Sequence, residues 1–384
     1  MATLSLLSLL LLFPPSLLLL LLHLILRPRP VKIPIKDRHV FITGGSSGIG
    51  LAMAHQAASQ GARVSILARG RDKLEEAQRA IRLATGIDVA VFSADARDFE
   101  AVKAAVEEAG PIDVLVCNQG VFVPSELEKQ EMEEVKFMID VNLIGTFHLV
   151  KAALDGMKKN RRERGPGSIA FMSSQAGQVG IYGYTAYSAS KFGLRGMAES
   201  LQQEVIADNI HVSLIFPPDT ETPGLAEEEK KRPQLTSIIA ASSGAMKADE
   251  VAKKAWDGIK SGSFFVPCNF EGILLAVATA GLSPQRSLWM AFVEVIAAGI
   301  TRIAALCFQW TWYGSIEKWH AHKKCILIFH YLSFEIRNYI FEVNWQFTFN
   351  SGPRSGGVFG KGEIFYSGAI SYYVLTPFKV FKRW

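Results

Sequence analysis

Cysteine is scarce in this chain. The 384 residues contain four, Cys117, Cys268, Cys307 and Cys325, and no two of them form a CxxC pair. That spacing argues against a thiolate metal site or a disulfide framework, so no metal is expected, and it suits a reducing compartment. Charge of one sign is also lacking: 41 basic and 36 acidic residues leave a net charge of +5, spread along the chain without a nucleic-acid-binding motif. Nucleic acid is therefore not an expected partner. No internal repeat is present.

Residues 4–26 lack any charged side chain and are rich in leucine, interrupted only by Pro14 and Pro15. At 1.5 Å per residue a helix of this length reaches about 34 Å, enough to span a bilayer. A cleaved signal peptide is the competing reading, but no Lys or Arg precedes Leu4 and no small-x-small site precedes Arg27. Arg27, Arg29, Lys32, Lys36 and Arg38 follow at once, and basic flanks stay on the cytoplasmic side, so the main domain is expected in the cytosol. Pro28, Pro30 and Pro34 make residues 28–35 a stiff linker.

Hydrophobic residues make up 49% of the chain, ample for a large core. Short apolar runs alternate with helical stretches: "VFIT" (40–43), "VSIL" (64–67), "VAVF" (89–92), "VLVC" (114–117), "IAFM" (169–172) and "VSLIF" (212–216). This alternation predicts an α/β fold with a Rossmann-like, doubly wound parallel sheet. Ligands bind beyond the carboxyl ends of such strands. "RRERGPG" (161–167) reads as an exposed, solvated loop. Between residues 263 and 324, Glu271, Arg286, Glu294 and Arg302 divide apolar runs into pieces shorter than the roughly 18 residues a span requires. With Trp289, Trp310, Trp312 and Trp319, this region reads either as an interfacial, lipid-facing segment or as a helical cap on the core. Residues 325–384 show no sustained helix or strand period.

"TGGSSGIG" (43–50) follows the first strand and opens a helix. Gly44, Gly48 and Gly50 let the backbone turn tightly, while Ser46, Ser47 and the helix N-terminus face a pyrophosphate. The second strand ends "SILARGRDK" (65–73), with Ala68 and Arg69 where an NAD-type fold needs a carboxylate. Arg69 and Lys73 suit a 2′-phosphate, which favours NADPH; the alternative is a merely solvated basic face. Asp95 is placed to meet the adenine and Asn118 to line the cofactor cleft. "YTAYSASK" (184–191) puts Tyr187 and Lys191 on one helix face, where an ammonium would lower the phenol's pKa; Tyr184 has no such partner.

The glycine motif, "CNQG" (117–120), "DVNLIGT" (140–146), "SSQAG" (173–177) and YxxxK occur in that order. Together they resemble the short-chain dehydrogenase/reductase family over about residues 36–262. The resemblance implies that Tyr187 donates a proton to a ketone oxygen, that Lys191 tunes it and binds the nicotinamide ribose, and that Asn142 holds a relay water. It also implies a carbonyl-polarising serine, by spacing Ser174, with Ser173 as second choice. Cys117 and Gln119 depart from the family's usual NNAG. "SSQAGQVGIYGYTAYSASKFGLRG" (173–196) and "FPPDTETPG" (216–224), joined to an N-terminal span, are similar to a membrane-anchored branch that reduces a long-chain ketosphingoid lipid with NADPH at the endoplasmic reticulum. In that pattern Pro217, Thr220 and Thr222 belong to a loop closing over the nicotinamide. A steroid or retinoid enzyme, or a silent cofactor-binding scaffold, are the competing functions; a homo-oligomer is compatible with either. The implied organisation is an anchor (1–27), a linker (28–35), a reductase domain (36–262), a membrane-associated or capping segment (263–324) and an atypical tail (325–384).

Overall fold

In a computed structural model, residues 2–27, 30–159, 161–240 and 244–350 are described. The linker residues Pro28 and Arg29 and the last part of the tail therefore lie outside the described residues. Two compact units divide the chain, Met1–Trp319 and His320–Trp384.

Each apolar run noted above forms a strand: β1 (His39–Thr43), β2 (Arg63–Ala68), β3 (Ala90–Ser93), β4 (Val114–Cys117), β5 (Gly167–Met172) and β6 (Ile210–Phe216). Two residues each at β7 (Thr220–Glu221) and β8 (Met246–Lys247) make a separate small ladder, and β9 (Phe265–Pro267) joins the main sheet. The seven-stranded sheet runs β3-β2-β1-β4-β5-β6-β9, every pair parallel. Its order reverses between β1 and β4, where Val40 pairs with Val114. That reversal opens the crevice in which such sheets bind ligands.

The central strands β1, β4, β5 and β6 are buried along their whole length, which is why they read as unbroken apolar runs instead of alternating ones. One face of the sheet packs on Met53, Leu74, Ile81 and Trp256, the other on Leu149, Met157, Leu194 and Val205. The strand β9 escaped sequence reading because three residues carry too little periodicity to stand out.

The basic run at 161–167 is not a solvated loop. Arg161–Arg164 is a helical turn, and Arg161 is buried, its guanidinium donating to the Asp113 carboxylate at 2.9 Å and to the Ile112 carbonyl at 3.1 Å. Arg164 and Arg38 join the same carboxylate at 2.7 and 3.3 Å. Asp113 immediately precedes β4, so this ion cluster closes the amino ends of the strands, opposite the ligand crevice.

Nor do charges interrupt the C-terminal region as expected. A short helix, Phe270–Ala278, is followed by one continuous helix, Leu288–Asn350, which passes through Glu294, Arg302 and Cys325. Its Leu288–Tyr339 stretch is long and apolar enough to cross a membrane, and Trp289, Ile300, Ile303, Phe308 and Trp310 on it are exposed. Met132–Lys158 is also long and apolar enough, but 44% of its most apolar stretch is buried within the fold, so core packing accounts for it. The N-terminal helix Ala2–Leu26 contains Pro14 and Pro15, and its Phe13–Leu26 part is a shorter apolar helix.

Candidate active site

A cavity of about 520 Å³ lies beyond the carboxyl ends of β1, β4, β5 and β6. It runs from Gly44, Ser47, Gly48 and Arg69 at one end, past Asn118, to Ser173, Ser174, Tyr187 and Lys191, with Pro217, Thr220 and Thr222 along its rim. Twelve of the residues read from sequence thus meet in one place, although they come from six separate segments.

The glycine turn is built for close approach. Gly44 and Gly48 adopt φ of +62° and +54°, a region that side chains disfavour. A Cβ on Gly50 would sit 2.3 Å from the Gly44 carbonyl oxygen, so this glycine permits the helix Gly48–Ser59 to pack on the turn and does not itself face the cavity. Ser47 is the N-cap of that helix and its side chain makes no capping bond, so N–H groups of the first turn remain for an anion. Asn118 Nδ2 donates to the carbonyls of Thr43 at 3.1 Å and Gly44 at 3.4 Å, holding the turn against β4. A Cβ on Gly48 would meet Thr222 Cγ2 at 2.9 Å, which places the Thr222 loop directly over the turn.

Four cofactor candidates lie outside this lining. Lys73 is exposed within the first turn of the helix Arg71–Thr85, while Ser46 is half-buried behind the turn and Gly50 is buried beneath it. Asp95 is held by Arg97, whose guanidinium makes a hydrogen-bonded ion pair with it at 2.7 Å and keeps the carboxyl below its usual range. Arg69, exposed at the cavity mouth, makes no ion pair among the described residues.

The unusual "CNQG" has a defined role. Gln119 Oε1 accepts from the Thr43 hydroxyl at 2.5 Å, and its Nε2 donates to Thr146 Oγ1 at 2.9 Å, so the larger side chain bridges the glycine turn and the Asn142 helix. Cys117 is buried in the core, and burial pushes its thiol well up, away from the thiolate.

Tyr187 and Lys191 lie in the first two turns of the helix Thr185–Val205. Lys191 Nζ donates to the Met172 carbonyl at 2.9 Å and stands 5.5 Å from the centre of the Tyr187 ring. Contrary to the expectation from their spacing, the phenol is not held low. Burial pushes Tyr187 well up and the Glu228 carboxylate adds to this, against a downward pull from its hydrogen bond with Ser174. Burial in turn brings the Lys191 ammonium down to about 8.

The two serines point different ways. Ser173 Oγ donates to the Lys191 carbonyl at 3.2 Å and is buried between β5 and the helix. Ser174 instead bonds Tyr187 and accepts from the Ala176 N–H at 3.1 Å. Asn142 is fully buried in a π turn, Asp140–Ile144, set between two stretches of α-helix. A Cβ on Gly120 would lie 3.5 Å from both Asn142 Oδ1 and Lys191 Nζ, so those two polar atoms flank one small gap.

A family model for short chain dehydrogenase matches residues 38–233. The chain belongs to the short-chain dehydrogenase family. Over 300 residues it is 66% identical to the 3-dehydrosphinganine reductase TSC10A of Arabidopsis thaliana, covering 78% of this chain and 92% of the relative. It is 37% identical to the 3-ketodihydrosphingosine reductase of Mus musculus, covering 74% and 86%. A solved structure described as a short chain dehydrogenase/reductase family protein superposes with a TM-score of 0.53 at 27% identity, covering 62% of this chain and 98% of that one.

The Tyr187 end of the cavity holds residues that sequence reasoning missed. Phe122 lies against Tyr187 with ring centres 4.1 Å apart and meets Tyr184 edge-on at 4.5 Å. Tyr184, set aside for want of a partner at the right spacing, is buried, and its hydroxyl donates to Glu228 Oε1 at 3.4 Å. Glu228 is 44 residues away in sequence, and no local pattern announces it.

Proposed function

We propose that the chain reduces the C3 ketone of 3-ketodihydrosphingosine to sphinganine with NADPH. The observation that carries this reading is the meeting of Ser174, Tyr187 and Lys191 at the floor of the cavity, in a chain two-thirds identical to a 3-dehydrosphinganine reductase over most of its length. The residues present suit a dinucleotide phosphate: positive-φ glycines at a helix N-terminus for the pyrophosphate, and an Arg69 guanidinium with no ion pair among the described residues for a 2′-phosphate.

When bound, NADPH supplies the hydride that reaches the carbonyl carbon. The Ser174 hydroxyl polarises the carbonyl, and the Tyr187 hydroxyl gives its proton to the oxygen as negative charge develops there. A phenol pushed up by burial stays protonated at neutral pH, which is the form a donor needs. Lys191 stands where it can stabilise the resulting phenolate, and the gap it shares with Asn142 suits a water that returns the proton. Ser173 supports this arrangement from behind by holding the Lys191 backbone.

A reductase domain over residues 36–262, anchored by Ala2–Leu26 and by the Leu288–Tyr339 stretch, would face the cytosol at the endoplasmic reticulum membrane, with Arg27, Lys32, Lys36 and Arg38 beside the lipid surface. The alkyl chain of the substrate then stays in the bilayer while the head enters the cavity. The test is the purified protein in liposomes with NADPH and 3-ketodihydrosphingosine. Sphinganine should form in proportion to NADPH consumed, and Tyr187→Phe should form none while still quenching NADPH fluorescence on binding. Full turnover by Tyr187→Phe, or no sphinganine from the wild type, would overturn the reading.

A further inference from the structure

The substrate end of the cavity carries a cluster of three charged residues that the reduction itself does not need. Arg232 is almost wholly buried and forks between two carboxylates: it donates to Asp219 Oδ2 at 2.7 Å and to Glu228 Oε1 through both Nε, at 3.1 Å, and Nη2. Asp219 and Glu228 both line the cavity. One guanidinium faces two carboxylates, so the cluster carries a net charge of −1 whenever Glu228 is ionised.

The hydrogen bonds of Glu228 are all on one side. Arg232 and the Tyr184 hydroxyl both use Oε1, and no described group donates to Oε2. Oε2 is not sealed inside the fold, so it opens on the cavity that Glu228 lines, where a ligand can reach it. Burial of the rest of the side chain raises its carboxyl to about 7 despite the guanidinium beside it. The group is also close to the chemistry: Tyr184 lies between Glu228 and Tyr187, and the two tyrosine rings are perpendicular with centres 5.9 Å apart. Lys191, which also lines the cavity, donates to the Met172 carbonyl and stands 5.5 Å from the centre of the Tyr187 ring.

We infer that Glu228 is a specificity residue that receives the ammonium on the carbon next to the ketone. This rests on the proposed function, because the ketosphingoid base carries its amine on C2, one bond from the carbonyl carbon that is reduced. With the carbonyl oxygen at Tyr187 and Ser174, that amine projects from the reacting centre toward the cavity wall. An ammonium there brings the local charge to zero and supplies the donor that Oε2 lacks. Neutral carbonyl compounds, such as a ketosteroid or the aldehyde retinal, would leave the cluster with its excess negative charge. Asp219, more exposed and bound to the opposite side of Arg232, holds the guanidinium in place.

The experiment compares 3-ketodihydrosphingosine with the same chain-length ketone lacking the 2-amino group, in liposomes with NADPH. In the wild type, kcat/KM should favour the amino ketone by about 30-fold or more. In Glu228→Gln, which keeps the side-chain length and an acceptor for Tyr184, that ratio should collapse toward one. A wild-type ratio near one overturns the inference while sphinganine formation leaves the proposed function standing; reduction of neither ketone overturns both. A Glu228→Gln enzyme that retains the wild-type ratio also overturns the inference. Should that variant fail to bind NADPH, Glu228→Asp, which keeps the charge but withdraws it by one methylene, reads the same ratio: an intermediate value is expected and an unchanged one is contrary.

Discussion

Asn142 and Val121 are paired through both of their polar groups. The Asn142 Oδ1 accepts from the Val121 N–H at 2.8 Å, and its Nδ2 donates to the Val121 carbonyl at 2.9 Å. The side chain thus acts as a short strand edge for the segment leaving β4, and Nδ2 also donates to Ser190 Oγ at 3.0 Å on the helix that carries Tyr187. One amide therefore ties the cofactor-side loop, the π turn and the Tyr187 helix together.

Asn142→Ala should consequently harm both folding and turnover. Removing the amide leaves the Val121 backbone groups without their partner, at a cost of about 1–3 kcal/mol in urea unfolding. If Asn142 also holds a relay water, kcat should fall further than the small loss of folded protein explains. A variant that is less stable yet keeps wild-type kcat would limit Asn142 to a scaffold role.

The adjacent serines provide a sharp contrast. Ser174→Ala removes the hydroxyl bonded to Tyr187 and should lower kcat by about 100-fold or more. Ser173→Ala loses only a bond to the Lys191 carbonyl and should cost about 1 kcal/mol of stability with most activity retained. Steady-state kinetics on both variants check this, and the reverse pattern would exchange their roles.

Arg69→Ala should weaken NADPH binding far more than NADH binding, since only the former presents a phosphate to the guanidinium. Titration of each cofactor by fluorescence reads the two losses separately. Equal losses would show that Arg69 acts as a general part of the cleft wall.

Deleting residues 1–26 should leave the protein in the membrane fraction. The exposed Trp289, Ile300, Ile303, Phe308 and Trp310 on the Leu288–Asn350 helix offer apolar surface that water does not tolerate well. Flotation on a density gradient after an alkaline wash is the measurement. A fully soluble truncated protein would assign all membrane attachment to the N-terminal helix.

What could be read in advance followed the range of the interactions involved. The glycine turn and the YxxxK pair depend on neighbours within one turn of chain, so Gly44, Gly48, Tyr187 and Lys191 were legible as a site from their spacing. The central strands were legible because burial on both faces demands continuous apolar runs. Glu228 and Tyr184 were not, since their bond joins the helix Pro223–Glu229 to the residue that caps the Tyr187 helix, 44 positions away. The environment of Tyr187 misled for the same reason: helical spacing suggests an ammonium beside the phenol, but the packing of Phe122 and the depth of the cavity make burial dominate. In the Leu288–Asn350 helix, the charges are far enough apart to leave apolar stretches between them, so the helix continues where they seemed to divide it.

The most direct test of the account is kcat/KM for 3-ketodihydrosphingosine against a ketosteroid and retinal, all with NADPH and the same protein in the same liposomes. If the cavity takes in the polar head as proposed, with the Glu228 carboxylate receiving its ammonium beside Tyr187, the ketosphingoid base should give the highest value. A higher value for either competitor would contradict it.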